Sequence, residues 1–207
     1  MIEDLRLAIF RALARTGRMP PLAELLAVAG GHRELADGFT QLATARHLAL
    51  EQGEVVLAHP FATRSFGFSV MSRDTLWWGG CAWDAFAIPH LVGTDALVAT
   101  RCPSCDRALA WVVDRTAPPD GSEVAHFVVP VAEMWNDVIH TCENQRLYCS
   151  DECAPVTDGT RLDLATLWRL AAGWYEGRLE RGYQRRDTAA AKQYFRSVGL
   201  TGAFWGL

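Results

Sequence analysis

The stretch Gly79-Gly80-Cys81-Ala82-Trp83-Asp84 joins a glycine pair to the start of an apolar run, and the rest of the chain can be organised around it. Two adjacent glycines let the backbone turn tightly before a helix, which predicts that Cys81 lies in the first helical turn. The positive end of the helix dipole favours a thiolate there. Asp84 lies three residues on, so both side chains share one helix face and can reach one ligand. The alternative, a buried apolar cysteine beside an ordinary first-turn carboxylate, stays open on spacing alone.

Upstream of this stretch, the sequence has the pattern of a small helical module. A first helix ends at Gly17, two further helical segments cover 21–28 and 33–47, and residues 48–59 alternate like a hairpin. Three short helices and a hairpin predict a winged-helix-like module over residues 1–60. Its third helix carries both acidic and basic side chains, whereas DNA binding needs several phosphate-pairing cations. We therefore interpret it as a packing module.

Beyond Pro60 the composition changes, because all six cysteines and seven of the eight tryptophans lie between Trp77 and Trp174. This change predicts a second domain over residues 61–207. Its strand-like segments are 65–70, 95–101, 107–114 and 123–131, and its helix-like segments are 81–91, 132–140, 162–179 and a short helix capped by Asp187. The predicted fold class is α+β, a small mixed sheet with packed helices.

Composition excludes several functional classes. The 207 residues are 50% hydrophobic and 21% charged with a formal net charge of −4, so the chain is globular and lacks the basic character of a nucleic-acid binder. The opening is acidic, unlike a secretory signal, and no apolar run approaches the roughly 20 residues of a membrane span. We expect a cytoplasmic protein without nucleic-acid or membrane partners. Reduced thiols in that compartment favour metal binding or catalysis over disulfides.

The stretch around Cys81 resembles the organomercurial lyase (alkylmercury lyase) family. In that family a Cys-Ala-x-Asp element is followed, after four further residues, by Pro-x-Leu-x-Gly, here Pro89, Leu91 and Gly93. A second catalytic cysteine of the family precedes an aromatic-small-Ser segment, and Cys142 lies before Tyr148-Cys149-Ser150. The family also has a small winged-helix-like module before its catalytic domain. The resemblance therefore implies that residues 61–207 are a lyase-like catalytic domain.

The resemblance implies cleavage of a carbon–mercury bond by protonolysis, with Cys81, Asp84 and Cys142 as the catalytic residues. Thiolates are the soft ligands that mercury prefers, so the two cysteines, with Asp84 beside them, are the predicted mercury-binding residues. A carboxyl group in water is protonated only about one time in a thousand at pH 7. Asp84 must therefore gain a proton before it can donate one. The simplest source is a cysteine, which loses its proton as the thiol binds mercury. The products are a hydrocarbon and bound Hg(II), with no organic cofactor.

The remaining four cysteines form a second pattern, Cys102-Pro103-Ser104-Cys105 with Cys149 and Cys153. A C-x2-C turn between strands and a C-x3-C at a helix start supply four thiolates suited to tetrahedral, structural zinc. A redox-active Cys102/Cys105 pair and unligated core thiols are the alternatives. This set departs from the familiar lyases.

Two other functions stay open from the sequence. One is a zinc-containing, metal-responsive winged-helix regulator in which Cys81 and Cys142 sense a soft metal. Asp84 argues against it, because a sensor needs no proton donor. The other is a lyase-like enzyme adapted to another thiophilic substrate. For a lyase, the expected partners are an organomercurial substrate and, as product acceptor, a small thiol or the mercuric reductase that the resemblance suggests.

Overall fold

The computed structural model describes residues 2–207, as seven α-helices, a final 3₁₀ turn and ten strands. The helices are α1 (Ile2–Thr16), α2 (Leu22–Ala29), α3 (His32–Thr44), α4 (Ala82–Val92), α5 (Val138–Glu143), α6 (Leu164–Trp174) and α7 (Thr188–Ser197). The strands are β1 (Ala49–Glu51), β2 (Glu54–Ala58), β3 (Phe61–Ala62), β4 (Phe68–Met71), β5 (Leu76–Gly79), β6 (Ala96–Arg101), β7 (Ala108–Val113), β8 (Val124–Phe127), β9 (Gln145–Tyr148) and β10 (Thr160–Asp163). Within these residues no helix is both long and apolar enough to cross a bilayer.

The strands form two antiparallel sheets. The larger has the order β1-β2-β3-β5-β4-β6-β7, and the smaller has the order β10-β8-β9. The α+β class is confirmed, but the prediction of one small mixed sheet is wrong. Parallel neighbours need a crossover of about a dozen residues or more, whereas short turns join β4 to β5 and β6 to β7. Those turns leave only antiparallel pairing for these neighbours.

The first three helices and the β1–β2 hairpin lie where the sequence predicts them. The end of α1 is fixed to β5, because the Trp77 indole N–H donates to the carbonyls of Leu13 and Ala14 at 2.9 and 3.0 Å. Strand β2 pairs with β3 across Pro60, so the hairpin belongs to the larger sheet. The winged-helix assignment and the domain division at residue 60 stay predictions.

Helix α4 is the central element of the fold. Every residue from Ala82 to Pro89 is buried, and the helix packs against α6 and against β4 and β5. A helix that is apolar on all sides needs such surroundings. Gly93 ends it in the left-handed conformation, with φ +71°. Pro89 and Gly93, the first and last residues of the Pro-x-Leu-x-Gly element, therefore lie at the end of the central helix.

Three predicted elements differ from the observed ones. Residues 132–137 form turns, and α5 begins only after Asp137, whose carboxylate caps it by accepting from the His140 N–H. The predicted helix 162–179 is shorter, because residues 160–163 pair as β10 and Asp163 caps α6. No helix begins at Cys153, which lies in a turn. In the first two cases an internal aspartate acts as an N-cap, a role that apolar periodicity alone does not reveal.

Candidate active site and tetracysteine cluster

Strand β5 and helix α4 present Cys81 and Asp84 to the interior. Cys81 is the N-cap of α4, one residue before the predicted first turn, and its sulfur accepts from the Asp84 backbone N–H at 3.5 Å. Extended backbone at Cys81 and helical backbone from Ala82 turn both side chains toward the same space. The predicted proximity of Cys81 and Asp84 is confirmed.

The two glycines before Cys81 are required by close packing. Neither is among the residues with positive φ, so the expected need for a tight glycine turn is wrong. A Cβ at Gly79 would lie 2.8 Å from Ala85, and one at Gly80 would lie 2.6 Å from Asp84 Oδ2 and 3.5 Å from Cys142 Sγ. The absence of a side chain at Gly80 therefore leaves room for the carboxylate and the second sulfur.

Cys142 reaches the same place from a distant part of the chain. It lies on α5, and its thiol donates to Asp84 Oδ2 across 3.8 Å. Cys81, Asp84 and Cys142 are 3%, 1% and 3% exposed. The structure thus brings all three sequence-predicted catalytic residues together in one buried cluster.

Two further side chains hold the Asp84 carboxylate. The Tyr175 hydroxyl donates to Oδ1 at 2.5 Å, and His59 Nδ1 lies 3.0 Å from Oδ2, to which its N–H donates when the carboxyl is ionised. Both side chains are buried, and His59 Nε2 has no hydrogen-bond partner within residues 2–207. Sequence reasoning missed both. His59 belongs to a strand-end turn and Tyr175 follows α6, and no spacing rule links either to Asp84.

Burial controls the protonation of the two thiols. Desolvation raises the pKa of Cys81, and the hydrogen bond with Cys81, together with burial, raises the pKa of Cys142 well above its usual value. Burial likewise raises the pKa of Tyr175 well above its usual value, so this residue remains a hydroxyl donor. The prediction that the helix dipole favours a thiolate at Cys81 is wrong, because loss of hydration outweighs the dipole. Both cysteines therefore hold their protons at neutral pH.

A cavity of about 370 Å³ opens onto this cluster. Its aromatic lining includes Trp83, Trp135, Trp174 and Trp205. Trp77, Trp78 and Trp83 flank Cys81 in sequence, but only Trp83 lines the cavity. The Trp77 indole instead donates a hydrogen bond to the end of α1. Arg178 and Arg185 add cationic groups to the lining. An apolar group of moderate size can therefore lie beside the two sulfurs and the carboxylate.

The other four cysteines form a separate group, which we name the tetracysteine cluster: Cys102, Cys105, Cys149 and Cys153. Their sulfurs all lie within 4.8 Å of one another. Cys105 Sγ is 3.4 Å from Cys149 Sγ, which is 3.2 Å from Cys153 Sγ. Burial opposes ionisation of Cys102, but backbone N–H groups of Cys149, Ser104 and Cys105 lower its pKa to about 6. The predicted convergence of the four thiols is confirmed, and their ligand stays a prediction.

Comparison with known proteins gives a family and a fold. A family model described as alkylmercury lyase (MerB) matches residues 61–176, which is more than half of the chain. A structure described as the mercury-bound form of MerB2 matches with TM-score 0.62 and 16% identity, covering 82% of this chain and 87% of that one. At that identity the likeness concerns the fold. No curated protein matches. Neither finding supports the metal-responsive regulator.

Proposed function

Because the chain belongs to the alkylmercury lyase family of enzymes, we propose that it cleaves a carbon–mercury bond through the buried cluster of Cys81, Asp84 and Cys142. The carrying observation is that two thiols and one carboxyl group converge at the end of a cavity. Mercury is the substrate's own metal, and the two sulfurs are its ligands. The carboxylate moves the proton.

The first step is capture of the organomercury cation by the thiols. Coordination to a soft metal deprotonates a thiol that burial otherwise keeps neutral. The released proton needs an acceptor nearby, and Asp84 Oδ2 lies 3.8 Å from the Cys142 sulfur. Transfer of the Cys142 proton to Asp84 protonates the carboxyl group and leaves Cys142 as the second thiolate ligand. The raised thiol pKa thus keeps the proton on sulfur until mercury binds.

The hydrogen bonds of Asp84 select the oxygen that carries this proton. Oδ2 receives the proton because it is the oxygen that already accepts from the Cys142 thiol, whereas Oδ1 accepts from the Tyr175 hydroxyl. His59 contacts Oδ2 and holds the carboxylate in place while it is charged. Tyr175 and His59 are positioning residues in this scheme, because they act through Asp84.

The second step transfers the carboxyl proton to carbon. The electron pair of the carbon–mercury bond takes up that proton, the bond breaks, and both thiolates keep Hg(II). The balance is R–Hg⁺ plus two thiols giving R–H, a dithiolate-bound Hg(II) and one H⁺, which is the Cys81 proton and leaves through the cavity to solvent. The tryptophan-lined cavity accepts the organic group and excludes water from the reacting atoms. A small thiol or a mercuric reductase then removes Hg(II).

Asp84→Asn tests the proton shuttle. The amide keeps the shape and can still accept from Tyr175, but it cannot carry the proton, so we expect hydrocarbon release to fall by about 10²–10⁴-fold. Benzene from phenylmercury with excess small thiol is measured by gas chromatography, and retained mercury per chain reports capture. Asp158→Asn, which changes an exposed loop carboxylate, is the control. Undiminished benzene release by Asp84→Asn would overturn the assignment.

A further inference from the structure

The tetracysteine cluster lies outside the proposed reaction, and its geometry points to a ligand of its own. With zinc–sulfur bonds of about 2.3 Å, a tetrahedral site has sulfurs about 3.8 Å apart. The observed separations of 3.2 and 3.4 Å are near that value and exceed the length of about 2.05 Å in a disulfide. Four sulfurs within 4.8 Å leave room for a single ion between them.

The loop that carries the first two cysteines is already shaped for this role. Cys102 donates its N–H to the Arg107 carbonyl at 2.9 Å and accepts at its own carbonyl from the Asp106 N–H at 2.9 Å. Asp106 takes the left-handed conformation, φ +59°, that closes the turn. The backbone of this turn is therefore fixed by its own hydrogen bonds.

A hydrogen bond also joins the two cysteine loops, because the Ser104 hydroxyl donates to the Cys153 carbonyl at 2.6 Å. Cys102 is buried, whereas Cys105 is exposed. An ion can therefore enter from the surface into a site whose backbone is fixed. This arrangement suits a closed structural site more than a catalytic one, because all four positions are occupied by protein ligands.

We propose that the tetracysteine cluster binds one structural zinc ion that joins the two sheets and fixes the segment carrying Cys142. Cys102 and Cys105 lie in the β6–β7 turn of the seven-stranded sheet. Cys149 directly follows β9 of the three-stranded sheet, and α5 with Cys142 leads into that strand. The ion therefore clamps one end of β9, while Cys142 contacts Asp84 at the other end.

Metal content tests the binding site independently of the reaction. The full chain is purified without chelator, and zinc and iron are quantified against protein. We expect about one zinc and no iron per chain, and loss of that zinc in Cys105→Ser, whose exposed position adds no packing defect. Cys81→Ser and Cys142→Ser are matched controls that keep the zinc. Cobalt replacement in the wild-type protein should give the d–d absorption of a tetrahedral tetrathiolate site.

Any of three findings in the wild-type protein would overturn the zinc site: no zinc, iron in its place, or a Cys102–Cys105 disulfide in the protein as purified. Equal zinc loss in Cys81→Ser and Cys105→Ser would also overturn it. The positioning role has its own readout, because removing zinc should slow benzene release and restoring zinc, but not magnesium, should recover it. If zinc binds but its removal leaves the rate of benzene release unchanged, the positioning role is refuted. Zinc content does not depend on lyase activity, so failure of either proposal is distinguishable.

Discussion

The two cysteine groups of this chain differ in burial, and the difference separates their chemistry. Cys81 and Cys142 are enclosed with a carboxylate; loss of hydration raises the pKa of Cys81, and hydrogen bonding with Cys81 together with loss of hydration raises that of Cys142. In the tetracysteine cluster Cys105 is exposed and the thiols interact with one another, so the pKa of Cys102 falls to about 6 while hydrogen bonds with Cys153 and Cys105 raise that of Cys149 to about 12. In the two proposals, one group supplies a proton to a reaction and the other holds a cation. Identical side chains acquire these roles from their surroundings.

The largest effect should come from Cys142→Ser, which removes one of the two proposed mercury ligands and the proposed proton source of Asp84. We expect benzene release from phenylmercury to fall by at least about a thousandfold, the scale on which loss of a reacting group acts. Zinc content should stay at one ion per chain. If the serine variant kept its turnover, or lost zinc as Cys105→Ser does, the separation of the two groups would fail.

Gly80→Ala tests how closely the buried group is packed. The added methyl would lie 2.6 Å from Asp84 Oδ2 and 2.8 Å from the Leu57 side chain. We expect the free energy of unfolding to drop by about 1–3 kcal/mol and turnover to fall by about 10²-fold as the carboxylate moves. Gly182→Ala is the control, since it introduces strain at φ +78° but meets no atom within 4 Å. Equal turnover in both variants would contradict this account.

Tyr175→Phe removes the donor to Asp84 Oδ1 and leaves both cysteines intact. We expect turnover to fall by about 10- to 100-fold, because a buried charged group that loses a donor costs about 1–3 kcal/mol. Tyr194→Phe is the matched control, since its hydroxyl donates to the Leu170 carbonyl and the side chain does not line the cavity. A control that lost as much turnover as Tyr175→Phe would show that general destabilisation causes the effect.

The smallest effect concerns stability at alkaline pH. The folded protein holds the Cys81 and Cys142 protons to higher pH than the unfolded chain, because their pKa values are raised. Above roughly pH 8.5, where an ordinary thiol ionises, the unfolded chain therefore binds fewer protons and folding stability declines. Below that pH this stabilisation is fully present. The melting temperature, measured from pH 7 to 10, should decline less steeply in Cys142→Ser than in the wild-type protein. The same slope in both proteins would refute a raised pKa at Cys142.

Much of the fold was accessible from sequence because its signals are local. Gly17 ends α1, the turn after Glu51 closes a hairpin, and Asp187 caps α7 as predicted. The predicted helix bounds are wrong where an aspartate both interrupts an apolar pattern and caps a helix. Asp137 and Asp163 interrupt apolar patterns as helix caps, and β9 and β10 are too short for periodicity to identify. Antiparallel order across the whole sheet depends on pairings distant in the chain, which a single sequence does not encode locally.

The candidate site was predictable where a motif exists and obscure where only packing acts. Cys81 and Asp84 share a helix start, and the family resemblance identified Cys142. His59 and Tyr175 have no motif, and they reach Asp84 only because the turn after β2 and the end of α6 lie beside the start of α4. The state of the thiols was also missed, since a helix dipole can be read from sequence but desolvation depends on the completed fold.

The indole rings around the cavity give the molecule a built-in optical signal. Trp83, Trp135, Trp174 and Trp205 all face the space that an organomercurial would enter. A heavy atom beside an excited indole quenches its emission, so arrival of mercury should dim the intrinsic fluorescence while departure of the hydrocarbon leaves it dim. Rapid-mixing traces could then time metal arrival separately from bond breakage, without a label on either molecule.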